Sequence, residues 1–153
     1  MRRPTNGYAR PAALAPLLLG SLLAGLTLTG CTDEPEATSE LTVRVLVRDI
    51  NIREEGVDCA GTGPYLFIHN RAPYRILDGD GETLADGKLP PGTSVRTFQE
   101  DLEVARIPTY CEFAIPVSVP ERDRYRLVVD DRSPIDLTAN NDEGPALVAV
   151  VPS

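Results

Sequence analysis

The chain has no tryptophan, one histidine, one methionine and three cysteines among 153 residues. His69 stands without a histidine partner, so a transition-metal site built from several imidazoles and thiolates is excluded by inventory. Sugar-stacking platforms are equally scarce, with no Trp, three Phe and five Tyr, one of which is Tyr8 near the N-terminus. Lysine is nearly absent too: Lys88 stands alone against fourteen arginines, a bias expected of a GC-rich bacterial genome. Sustained i, i+3, i+4, i+7 apolar periodicity is also missing, and this argues against a helical domain.

What is present begins with an address. Residues 1–10 carry Arg2, Arg3 and Arg10 and no acid, and residues 12–28 follow as a Leu- and Ala-rich run. This is the profile of an export signal. The run is broken by Pro16, Gly20, Ser21 and Gly25 and falls at or below the ~20 residues that a transmembrane helix needs. Leu28-Thr29-Gly30-Cys31 then resembles the lipobox of bacterial lipoproteins, an apolar residue and two small ones before a cysteine. The resemblance implies that Cys31 takes a thioether-linked diacylglycerol and becomes the mature N-terminus. Two acyl chains at ~0.8 kcal/mol per buried CH₂ anchor a protein without further membrane contact. An uncleaved signal anchor, or a cut at a nearby Ala or Gly, is the alternative. The Arg2-Arg3 pair lacks the apolar residues that usually follow in twin-arginine export, so ordinary secretion is expected.

The domain organisation read from the chain is a signal at 1–30, a disordered Thr-, Asp-, Glu-, Pro- and Ser-containing tether at 31–40, and one folded domain at 41–153. Loss of the three signal arginines leaves 12 basic against 23 acidic side chains, a formal charge of about −11. Such a domain repels nucleic acid, whose binding needs a clustered Lys/Arg patch.

From Leu41 onward the apolar period is two. Leu41, Val43, Val45 and Val47 share one strand face, and Cys111, Phe113, Ile115, Val117 and Val119 share another. Pro116 has no N–H to donate, which places its strand at an edge or bulge. Further strands are expected at 64–70, 74–78, 82–86, within 95–104, at 124–130 and at 146–151. Turn signals separate them, among them Asp78-Gly79-Asp80-Gly81, which tolerates positive φ, and Pro90-Pro91-Gly92. The predicted fold is all-β, an antiparallel two-sheet β-sandwich of seven to nine strands, transthyretin-like or immunoglobulin-like in architecture. The stretch from Tyr74 to Gly92 resembles the strand-turn-strand pattern of transthyretin-like and carboxypeptidase-regulatory-like modules, and this resemblance implies an extracellular, non-catalytic role. A true immunoglobulin domain would place a Trp between the cysteines.

With Cys31 taken by lipid, Cys59 and Cys111 are the two thiols left in an oxidising compartment, and they are expected to form a disulfide. Two buried free thiols are the alternative. His69 is read as a strand-end residue satisfied by a neighbouring carbonyl or water, since no serine lies in a Gly-x-Ser-x-Gly elbow. Asp78, Asp80 and Glu82 are spaced closely enough to offer oxygens to Ca²⁺, but the calcium-loop template places its glycine and final Glu elsewhere, so turn chemistry and solubility account for them. The cluster of Asp130, Asp131, Asp136 and Asp142 reads the same way. Gly61-Thr62-Gly63 lacks the rest of a dinucleotide fingerprint.

No catalytic residue, metal or cofactor is therefore predicted. The expectation is a lipid-anchored envelope module that binds or scaffolds another envelope protein or polymer, in a GC-rich Gram-positive bacterium. A small hydrolase using carboxylates, with or without His69, or a carrier of a small ligand or metal, are the alternatives. Loops 49–63 and 99–108, which adjoin the cysteines, are the expected functional surfaces.

Overall fold

The computed structural model describes residues 36–140, 142 and 144–151. The signal segment, Cys31 and the first part of the expected tether lie outside the described residues. The fold is all-β. Among the described residues nine strands follow in order: β1 (Thr38–Arg53), β2 (Asp58–Cys59), β3 (Pro73–Asp78), β4 (Thr83–Lys88), β5 (Gly92–Arg96), β6 (Ile107–Pro120), β7 (Tyr125–Val129), β8 (Ile135–Asn140) and β9 (Ala146–Val151). No helix among the described residues is long and apolar enough to cross a membrane.

Hydrogen bonding links all nine strands into one sheet, in the order β2-β5-β6-β1-β9-β8-β7-β3-β4. One face of it is buried as a single cluster drawn from both flanks of the sheet. Val43, Val45 and Val47 of β1 meet Cys111, Phe113 and Ile115 of β6, Ile76 of β3, Leu127 and Val129 of β7, and Leu147 and Ala149 of β9. A sheet can bring strands so far apart in its order into one core only by curling over itself. Each fully buried Val, Leu, Ile or Phe contributes about 1.5–3 kcal/mol relative to exposure. The alternation in β1 and β6 thus marks the inner face correctly.

The sheet is mixed, which corrects the purely antiparallel expectation. β1 pairs antiparallel with β6 but parallel with β9, from Thr42 opposite Ala146 to Val47 opposite Val151. β9 reaches β1 as the second strand of the β8–β9 hairpin, in which Asn140 lies opposite Ala146. β1 opens at Thr38, within the segment expected as tether. Its first residues pair with β6, with Thr38 opposite Pro120, and Glu36 is bound by the Arg122 guanidinium.

Residues 64–70 form no strand. Gly63 at φ +57° and Pro64 start a 3₁₀ turn (Gly63–Tyr65). Successive turn bonds follow, Tyr65 N–H to Thr62 O at 3.1 Å and Ile68 N–H to Tyr65 O at 2.9 Å. Ile68 alone of this segment is fully buried, closing the core from a loop. The strand expected within 95–104 lies earlier, at Gly92–Arg96, and β8 was not anticipated at all. Pro116 sits where expected. Pairing of β6 with β5 covers only residues 109–112, so at Pro116 that side of β6 is a local edge.

Three polar devices fix the connections. At the β3–β4 turn, the Asp78 carboxylate accepts N–H bonds from Asp80, Gly81 and Glu82 at 2.8–2.9 Å. At the β6–β7 corner, the Tyr125 hydroxyl donates to Pro120 O at 2.9 Å and accepts the Arg122 N–H at 2.8 Å. On β5, the fully buried Ser94 donates to Glu54 O at 2.7 Å and accepts the Val57 N–H at 3.0 Å, holding the loop after β1 onto the sheet.

Candidate functional site

The end of the sheet where β1 leaves β9 behind is the candidate site. β9 stops opposite Val47, while β1 continues to Arg53. Between Arg48 and Ile52 the register with β6 slips: Arg48 faces Tyr110 and Ile52 faces Pro108, so β1 spends four steps where β6 spends two. A bulge of this kind bends its strand and redirects side chains. Ile50 and Ile52 emerge 73% and 61% exposed, an unusual place for two isoleucines.

The bulge is stabilised from inside. Asp49 is buried, and its carboxylate accepts the Asn51 backbone N–H at 2.9 Å, the Asn51 side-chain amide at 3.0 Å and a bond from the Arg53 guanidinium. Burial opposes ionisation of this carboxyl, but the Asn51 and Arg53 bonds outweigh it and hold its pKa below the ordinary carboxylate range.

Two depressions flank this stretch. One, of about 720 Å³, is lined by Ile50, Ile52, Pro64, Tyr65, Pro108 and Tyr110 among others, and also by Thr109. The Thr109 hydroxyl is buried and has no hydrogen-bond partner, a costly state for an interior polar group. The second, of about 460 Å³, is lined by residues 51–54, Val57 and Arg106. Loops 49–63 and 99–108 thus meet at one place, with Arg53 opposite Ile107 in the sheet. Val57, Leu102 and Val104 add exposed apolar surface from the same two segments.

The other candidates from the sequence are dispersed. Cys59 and Cys111 form a disulfide, with Cα atoms 5.7 Å apart, which ties the short β2 to the core face of β6. Cys31 lies outside the described residues. His69 is exposed, and its Nδ1 donates to Asn70 O at 2.8 Å. Asp78, whose carboxyl is held below its usual pKa first by the Glu82 N–H bond and then by those of Asp80 and Gly81, is committed to its turn. Asp131 pairs with Arg75 at 2.9 Å. Among the described residues no group of three or more His, Cys, Asp or Glu side chains is placed to hold a metal ion. Gly61 serves the chain itself: its N–H bonds Ile68 O at 2.8 Å, and a Cβ there would collide with Tyr65 O.

Asp49, Ser94, Thr109 and Tyr125 were not singled out from sequence. One signal was visible at the site, a parity switch in β1. Leu46 apart, apolar residues of β1 occupy odd positions through Val47 and even positions at Ile50 and Ile52, which is how a strand that turns an apolar side outward reads.

No family model, curated protein or solved structure matches the chain.

Proposed function

We propose that this protein is a lipid-anchored, extracytoplasmic, non-catalytic module of the cell envelope, which binds or scaffolds another envelope component through the β1 end of its sheet. The anchor is Cys31 after removal of residues 1–30, and the setting is the outer face of the cytoplasmic membrane of a GC-rich Gram-positive bacterium. In this reading the curled sheet works as a sandwich, with β2-β5-β6-β1-β9 as one layer and β8-β7-β3-β4 as the other. A disulfide suits that oxidising compartment. The Tyr125 corner, where the chain passes from β6 to β7, is a device of Greek-key sandwiches.

The observation that carries the proposal is the exposed pair Ile50 and Ile52 at the far end of a 16-residue strand. At ~3.3 Å per residue, they lie about 40 Å along β1 from Thr38, where the mature chain enters the domain. The apolar pair thus lies at the end of β1 opposite the point where the chain enters the described domain. The groups that a hydrolase would recruit are occupied elsewhere: His69 on a neighbouring carbonyl, Asp78 on three amides, Ser94 on the loop before β2.

The test is photo-crosslinking in intact cells, with a benzophenone side chain in place of Ile52 or, as control, of Ser118 near the opposite end of the sheet. Adducts of defined mass in the membrane fraction from position 52 and none from 118 are expected, unchanged by His69→Ala. Absence of adducts at 52, or their loss with His69→Ala, would contradict the proposal.

A further inference from the structure

We infer that residues 50–53 are a strand-addition edge for an extended protein segment of alternating basic and apolar residues. The inference rests on the binding role proposed above and names the chemistry of the partner. Its first ground is the backbone. Beyond the last β1–β9 pair, no described strand lies on that side of residues 50–53, while Ile52 and Arg53 remain paired with β6 on the other. A strand held on one side presents unpaired N–H and C=O groups on the other, which is the template for β-augmentation.

Its second ground is the contrast with the sheet's true edges, which are blunted. β2 is two residues long, and β4 carries Asp86, Gly87 and Lys88. The β1 edge is bent by the bulge, which commits the Asn51 N–H to Asp49, yet it displays Ile50 and Ile52 where the true edges are short or charged. Alternate side chains of an added strand would fall into the depressions on either side of it. Thr109 lines the larger one with a buried hydroxyl that still lacks a partner.

Charge selects the occupant. The two segments that bound the site carry Glu54, Glu55, Asp58, Glu100, Asp101 and Glu103, all exposed, against the exposed Arg106 at the smaller depression and Arg48 at the larger, so acids outnumber bases there. Arg53 is neutralised by Asp49, and Arg96 of β5 reaches Glu55 at 3.0 Å. An acidic surround on an acidic domain attracts Lys and Arg, repels anionic lipid and disfavours a second copy of this chain.

The test uses the full mature chain in detergent and an eight-residue peptide alternating lysine and valine, with affinity followed by fluorescence anisotropy. Binding should weaken about tenfold or more in Ile52→Asp, the size of losing one apolar anchor. The variant adds a negative charge at a solvent-exposed position, so indiscriminate attraction of a basic peptide would strengthen instead. Methylating alternate amide nitrogens of the peptide should abolish binding, because it removes ladder donors and keeps the charge. Equal or tighter binding to Ile52→Asp, undiminished binding of the methylated peptide, or self-association removed by Ile52→Asp would each overturn the inference. Crosslinks from position 52 without peptide binding would overturn strand addition and leave the envelope-binding role standing. Peptide binding without crosslinks would support the edge and count against an envelope partner.

Discussion

Gly92 of β5 sits against the sulfur of Cys111: a Cβ at position 92 would come within 2.7 Å of the Cys111 Sγ. It would also lie 2.8 Å from Cys59 O and from the Phe113 ring. Gly92 pairs with Cys59 in the β2–β5 ladder, so one missing side chain makes room for the whole disulfide. The backbone at Cys59 and the Phe113 ring are fixed by their own packing and cannot yield cheaply. Gly92→Ala should therefore destabilise the domain by about 2 kcal/mol through overpacking. In a Cys59→Ala/Cys111→Ala background the cost should shrink, since the sulfur is gone. Urea melts of the four proteins in this cycle give the coupling directly.

The disulfide closes a loop with a sequence separation of 52. The chain-entropy treatment gives about 4 kcal/mol for a link of that size. Reduction without other change should lower the urea midpoint by a corresponding amount, a large share of the 5–15 kcal/mol typical of a domain. A reduced protein with the same midpoint would show that the bridge is not a stabilising element.

Tyr125→Phe removes a hydroxyl that serves two backbone groups at once, Pro120 O and the Arg122 N–H. Both groups are partly accessible, so water recovers some of the loss. A destabilisation of about 1–2 kcal/mol is expected, read as a shift in the urea midpoint at unchanged slope.

Asp49 and Asp78 both have their carboxyl pKa held below the unfolded value of about 3.9. Groups depressed in the folded state contribute stability that is fully present above the unfolded pKa and is lost as pH falls through the folded pKa. The thermal midpoint should thus be insensitive to these two groups near neutrality and should fall as pH drops below about 4. Asp78→Asn should lower the midpoint at neutral pH and flatten this acid limb. An acid limb as steep as in the unaltered protein would remove Asp78 from the account.

How far the fold could be read from the chain depended on how local the signal was. Alternation at Val43, Val45 and Val47 and at Cys111, Phe113 and Ile115 gave the two central strands and their inner faces, because the pleat writes burial into every second residue. The same cue misled at 64–70, where Tyr65, Phe67 and His69 alternate but Gly63 and Pro64 set a 3₁₀ turn and the core is reached by Ile68, of the opposite parity. β8 was missed because its turn-rich flanks and the polar Asp136, Thr138 and Asn140 obscured Ile135, Leu137 and Ala139. The candidate site was legible as two loops but not as one surface. They meet only in the sheet, where Arg53 lies opposite Ile107, and the parity break at Ile50 gains meaning only when β9 is seen to end at Val151.

The central claim, an exported lipid-anchored domain closed by one disulfide, is tested most directly by intact-mass spectrometry of the protein extracted from native membranes, unfolded and alkylated without reduction. The account predicts a chain beginning at Cys31, heavier than its sequence by a diacylglycerol and carrying no alkyl group. A mass that keeps residues 1–30, a mature chain without lipid, or two alkyl groups at Cys59 and Cys111 would contradict it.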